Sequence, residues 1–234
     1  MSMLLRRQPV LWLLTLVLPT VALAQDPDVG ERVAALRQSL QKSSEALTHY
    51  EWIETTAISL KGEEKAQLQK RCYYGAEGEL QKVPVSDAEP QGKKKRGVRG
   101  KIVEKKKGEL TEYMQQAIDL VQHYVPPDPE RIRKSKEAGK AAVHVLEPGK
   151  RVRLDFRDYH KPGDTLSVEM NVTNDQLLAL SVASYLESPD DAVGLRVGFS
   201  ALADGSTYAG DIALDAPAKN LAVAVKNSGY KKIR

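Results

Sequence analysis

Cysteine is nearly missing from this chain, where Cys72 stands alone among 234 residues. No intrachain disulfide can form, so packing must carry the stability, and a solitary thiol reads as a small buried hydrophobe. Aromatic residues make up only 6 %, with two phenylalanines and two tryptophans. That is too few to build a stacking surface for bases, which argues against nucleic acid as a partner. His49, His123, His144 and His160 are scattered, none within four residues of another histidine or of the cysteine. The sequence therefore offers no metal site and implies no cofactor. Catalytic constellations are missing too. Gly198-Phe199-Ser200 lacks the second glycine of a nucleophile elbow, and the glycine-lysine stretch from Gly92 to Gly97 lacks the Lys-Ser/Thr end that cradles a phosphate. The neighbouring carboxylates Glu63-Glu64 and Asp190-Asp191 fall in turn-like segments where solvation explains them. The reading is a protein that is not an enzyme.

What is present begins at the N-terminus. Arg6 and Arg7 precede an apolar stretch over residues 10–18, followed by Ala22-Leu23-Ala24, the pattern of a secretory signal peptide over residues 1–24. Gln25, not cysteine, comes next, so this junction carries no lipoprotein acylation signal. No later stretch is apolar for long enough to span a bilayer. The expectation is a mature chain of residues 25–234, one domain, periplasmic or secreted, with no transmembrane segment. Charge is unevenly spread. Residues 93–107 hold nine basic residues against Glu104, a local +8 in a chain of net +4, which leaves the remainder at −4.

Periodicity then divides the chain. Val29, Val33, Leu36, Leu40 and Leu47 share one face of a helix reaching to about His49. From Tyr50 the period drops to two, and Lys61-Gly62 marks the turn of a hairpin, with a short third strand over residues 79–85. Residues 86–108 read as a flexible basic loop leading into a helix over 109–125, whose spacing places Tyr113, Ile118 and Val121 on the apolar side; Pro126-Pro127 ends it. Beyond it come Val152, Leu154 and Phe156, then Leu166, Val168, Met170 and Val172, each alternating with polar residues, as one-sided antiparallel strands do. Further strands follow to the C-terminus. Ala179, Ser181 and Ala183, Gly194 and Gly198, and Ala222 and Ala224 form small-residue stripes, expected to allow close helix packing rather than to line a ligand cavity.

This order of helix, hairpin beginning Tyr50-Glu51-Trp52-Ile53, helical insertion and unbroken meander ending near Asn227-Ser228-Gly229-Tyr230 resembles the lipoprotein-carrier-like proteins of the bacterial envelope, which include outer-membrane lipoprotein carriers and related envelope-stress sensors. The resemblance implies an α+β fold: a strongly curved antiparallel half-barrel sheet with the N-terminal and inserted helices on its concave face. It also implies an apolar cavity between the layers that shields a lipid or lipoprotein acyl chain. Trp52, Ile58, Tyr113, Ile118, Val121, Leu154, Phe156, Val168 and Met170 are the expected lining. The alternative is an envelope interaction module in which Lys93, Lys94, Lys95, Arg96, Arg99 and Lys101 dock on an acidic partner or an anionic membrane surface.

Overall fold

Lys61 and Gly62 both take positive φ, 55° and 77°, the backbone of a two-residue hairpin turn whose twist suits its flanking strands. They join β1 (Tyr50–Leu60) to β2 (Glu63–Tyr74), and β3 (Leu80–Pro84) follows. The computed structural model describes residues 29–85 and 98–233. The expected signal peptide and Lys93, Lys94, Lys95 and Arg96 lie outside those residues. Before the hairpin runs α1 (Val29–Leu47). After it come α2 (Val98–Gln122), α3 (Pro129–Glu137) and seven further strands: β4 (Ala141–Glu147), β5 (Arg151–Arg157), β6 (Thr165–Asn171), β7 (Gln176–Tyr185), β8 (Ala192–Ala201), β9 (Thr207–Ala216) and β10 (Leu221–Lys232).

The ten strands form one open antiparallel sheet in the order β3-β2-β1-β10-β9-β8-β7-β6-β5-β4. Within the meander each strand pairs with its neighbour in sequence. The exception that organises the fold is β1 with β10, paired from Leu60 opposite Leu221 to Tyr50 opposite Lys232, with a bulge at Trp52. That ladder fuses the N-terminal hairpin to the meander.

All three helices cover one face. Leu36 of α1, Ala117 and Leu120 of α2, Tyr124 just after it and Ile132 of α3 share a buried cluster with Leu154, Phe156, Leu166, Val168, Met170, Leu180, Val182 and Leu195. Strands β5 and β6 alternate as expected: Leu154 and Phe156, then Leu166, Val168 and Met170, are buried, while the residues between them are only half-covered or exposed.

Several expectations are corrected. The helix expected over 109–125 begins at Val98 and ends at Gln122, so Arg99 and Lys101 belong to a helix and not to a loop. Lysine, arginine and glutamate favour helix, and no proline interrupts residues 98–122, so the local charge does not stop the helix. Ile118, expected in the core, is 37 % exposed. The contacting stripe is Tyr113, Ala117, Leu120 and Tyr124, and at 3.6 residues per turn Ile118 lies about 130° round the helix from its centre. The apolar arc is wider than the contact it makes. The small-residue stripes are corrected as well. Ala183 opposite Gly194, Ala179 opposite Gly198 and Ala224 opposite Ala213 alternate with the buried pairs Val182–Leu195 and Leu180–Val197, so they occupy the face away from the helices. There Ala57, Gly198, Ala213 and Ala224 floor a shallow open groove.

α3 and β4 escape a search for apolar period because α3 has one buried apolar residue, Ile132. What signals α3 is its start. Asp128 accepts from the Glu130 amide at 2.9 Å and Pro129 occupies the first turn, an N-cap followed by proline. Arg133, bonded to Glu130 and Glu137 at 2.7 Å each, supports it along the exposed side.

Candidate functional site

The helix-covered face is not uniformly closed. One cross-strand row runs Leu154, Val168, Leu180, Val197, Ile212, Val225, Thr56, Leu68, each opposite the next. The first four are 1–6 % exposed. Ile212, Val225 and Thr56 are half-buried, and Leu68 is 42 % exposed. The neighbouring row, Phe156, Leu166, Val182, Leu195, Leu214, Val223 and Ile58, grades the same way from fully buried to half-buried. The sheet therefore has a dry half over β5–β8 and a half-open apolar half over β9, β10 and β1.

The expected lining residues divide along that boundary. Leu154, Phe156, Val168 and Met170 are 0–3 % exposed and belong to the packed core. Val121 packs against the same cluster from α2. Tyr113 and Ile58 meet in a smaller cluster with Ala216, Leu221, Leu110 and Met114, where the Tyr113 hydroxyl donates to Asp191 at 2.6 Å. Trp52 lies at the open end, stacked on Tyr230 with centroids 5.3 Å apart and flanked by Tyr74 at 6.0 Å. Its indole N–H donates to Asn227 Oδ1 at 3.2 Å. Tyr208 approaches Tyr230 to 4.2 Å, and Cys72, fully buried beside this cluster, has its thiol pushed up mainly by burial. Four of the aromatics are thus gathered on β1, β2, β9 and β10 at this end of the sheet. Composition alone does not show that clustering, because strand pairing creates it.

Sequence periodicity missed the open space itself. A groove of about 350 Å³ lies between α1 and the link after α2. Its floor is Leu36, Leu40, Pro126 and Pro127, and its lip is Arg37, Gln41 and Ser44. The signal was present: residues 37, 41 and 44 follow helical spacing beside the apolar 36 and 40, so one helix supplies both a dry floor and a wet edge. α1 is held to the sheet by a buried bond in which the Thr207 amide donates to Ser43 Oγ at 3.0 Å.

The other side of the groove is anchored by a polar junction. Asp164, 1 % exposed, accepts from the backbone amides of Tyr159 (2.6 Å), His160 (3.0 Å) and Lys161 (2.8 Å) and from the Tyr124 hydroxyl (2.6 Å). Tyr124 also bonds Ser184 at 2.8 Å. Burial first, then the bond to Asp164, pushes the Tyr124 phenol well above its ordinary range. Beside it the His123 and His160 rings stack at 4.5 Å, and the Arg131 guanidinium bonds His160 Nδ1. Burial, then Arg131, then His123 lower the His160 pKa below its ordinary 6.5, with Asp164 opposing and Lys161 adding to the depression.

A folded-state pKa below the unfolded one means that the unfolded chain takes up the proton first. Stability is then fully present above about 6.5 and falls as pH drops through the window down to the lowered value. Urea unfolding at pH 7.5 and pH 5 is expected to show a smaller acid loss for His160→Asn than for the parent. Equal losses in the two proteins would remove His160 from this account.

Among the described residues no group of three His, Cys, Asp or Glu side chains is placed to hold a metal ion, and no helix is long and apolar enough to cross a membrane. No protein-family model matches the chain, and no curated protein matches it. Two solved structures match it over most of its length. The chain is similar to a DUF1329 family protein from Desulfovibrio piger, at 8 % identity over 87 % of this chain and 91 % of that one, with a TM-score of 0.38. It is also similar to the LolA superfamily protein NE2245 from Nitrosomonas europaea, at 11 % identity over 85 % and 93 %, with a TM-score of 0.36. Both likenesses are faint, and the function is read from this chain's own residues.

Proposed function

We propose that the protein is an exported, non-enzymatic carrier that holds an apolar chain under α1, at the open half of its sheet. The observation that carries this reading is the grading of the two inward rows from dry to half-open. A sheet built only as a scaffold has no reason to leave Ile58, Ile212, Val223 and Val225 half-buried beneath helices that bury the other half, since completing the burial of each would add about 1 kcal/mol. An apolar passenger in that space supplies the missing cover. A separate groove between α1 and Pro126–Pro127, which no described strand residue lines, is within the size range of small-molecule sites, mostly apolar with a few polar groups at its edge. The packed half acts as the rigid wall, and the Asp164 junction fixes the Pro126–Pro127 side of the entrance.

Native mass spectrometry of the mature chain, purified without detergent, is expected to show a lipid-sized mass addition that organic extraction removes. The stripped protein is then expected to take up an apolar fluorescent probe, which the extracted material displaces. Bare protein in the first measurement together with no probe uptake in the second ends this reading.

A further inference from the structure

We infer that the α1 groove takes a single acyl chain ending in a carboxylate, a free fatty acid, with Arg37 holding its head; this rests on the carrier reading. Among the described residues that line the groove, Arg37 is the charged one. It is exposed, and among the described residues it has no hydrogen-bond or ion-pair partner. Its near neighbour Gln41 is turned along the helix to Glu45, at 3.4 Å, so that carboxylate is engaged with an amide and not with the guanidinium. The groove is therefore a dry trough with one unneutralised cation at its lip.

Size narrows the ligand further. A water molecule's share of liquid volume is about 30 Å³ and a methylene is of similar bulk, so the groove's 350 Å³ holds about a dozen methylenes. That is one chain; a diacyl lipid has nowhere to put its second. Charge narrows it again. A single guanidinium matches the single charge of a carboxylate and forks onto its two oxygens, whereas a phosphate monoester brings up to two charges and three acceptor oxygens, for which the lip offers no second cation among the described residues. The two prolines opposite contribute apolar rings and no backbone N–H donors, so nothing on that wall competes with Arg37 for the head.

The test measures binding of dodecanoate, dodecanol and dodecyl phosphate to the stripped mature chain below their micelle concentrations. Dodecanoate is expected to bind about fivefold tighter than dodecanol, the scale of an exposed ion pair, and at least as tightly as dodecyl phosphate. The preference should shrink as salt is raised. Arg37→Gln, a surface change that leaves the fold intact, should bring dodecanoate and dodecanol within twofold of each other by weakening the acid alone, and Arg37→Lys, which keeps the charge but not the fork, should keep a smaller preference for the acid. Equal binding of acid and alcohol in the parent overturns the carboxylate assignment while leaving the carrier standing. Tighter binding of the phosphate overturns it in favour of a phosphorylated head. Failure of all three to bind, in a protein that still retains an apolar passenger, removes the groove as the site. The same failure with no passenger removes the carrier reading as well.

Discussion

Asp164→Ala is expected to lower the unfolding free energy by about 3–5 kcal/mol, read as a fall in the urea midpoint at unchanged slope. The aspartate sits at the end of the β5–β6 turn, almost without solvent contact, and its two oxygens take bonds from three consecutive backbone amides and from the Tyr124 hydroxyl. Truncation leaves those donors without their acceptor in a place where water enters poorly, and each buried donor left unmet costs about 1–3 kcal/mol. Two companions separate the contributions. Tyr124→Phe removes one donor together with its demand and should cost only about 1 kcal/mol. Asp164→Asn keeps the shape but replaces an acceptor by a donor, so it should fall between the other two. A loss under about 1 kcal/mol for Asp164→Ala would mean that the turn holds itself and that the junction does not tie the end of α2 to the sheet.

The second large effect concerns the dry wall. Phe156→Ala is expected to cost about 3–5 kcal/mol, because the ring is fully buried in the cluster shared by the helices and strands β5–β9, and its removal leaves a cavity that a sheet cannot collapse around. Ile118→Ala, on the same helix, should cost clearly less, about 1 kcal/mol, since its side chain is 37 % exposed and loses only partial cover. The pair is informative together. If both changes were costly, the apolar arc of α2 would be buried more widely than the structure places it. If neither were, the wall under the helices would be too loose to serve as the fixed side of a binding site. The carrier reading needs the contrast, because a passenger can be held at the open half only against a half that does not yield.

Some of this was readable one residue at a time. The alternation over Arg151–Arg157 and Thr165–Asn171 places Leu154, Phe156, Val168 and Met170 inward before any coordinates exist, because a pleated strand has only two sides. Lys61-Gly62 names its own turn, since a glycine tolerates the left-handed backbone there. The ends of α1 follow from where apolar period gives way to period two. The burial of Cys72 matches what a lone thiol in a chain without disulfides leads one to expect.

The rest required pairing between parts of the chain far apart in sequence. Sequence alone determined which side of β5 and of β6 avoids water, because that is a property of local spacing. It also determined that packing, and not covalent bridges, holds the protein together. Only the tertiary structure decided that β1 closes on β10, that the small-residue stripes face outward, that Ile118 misses the contact its spacing promised, and that Arg37 stands at the lip of an apolar trough. Those facts depend on how far each helix extends over a sheet whose width is set by ten strands. No local period encodes how much of an apolar face its neighbours will cover.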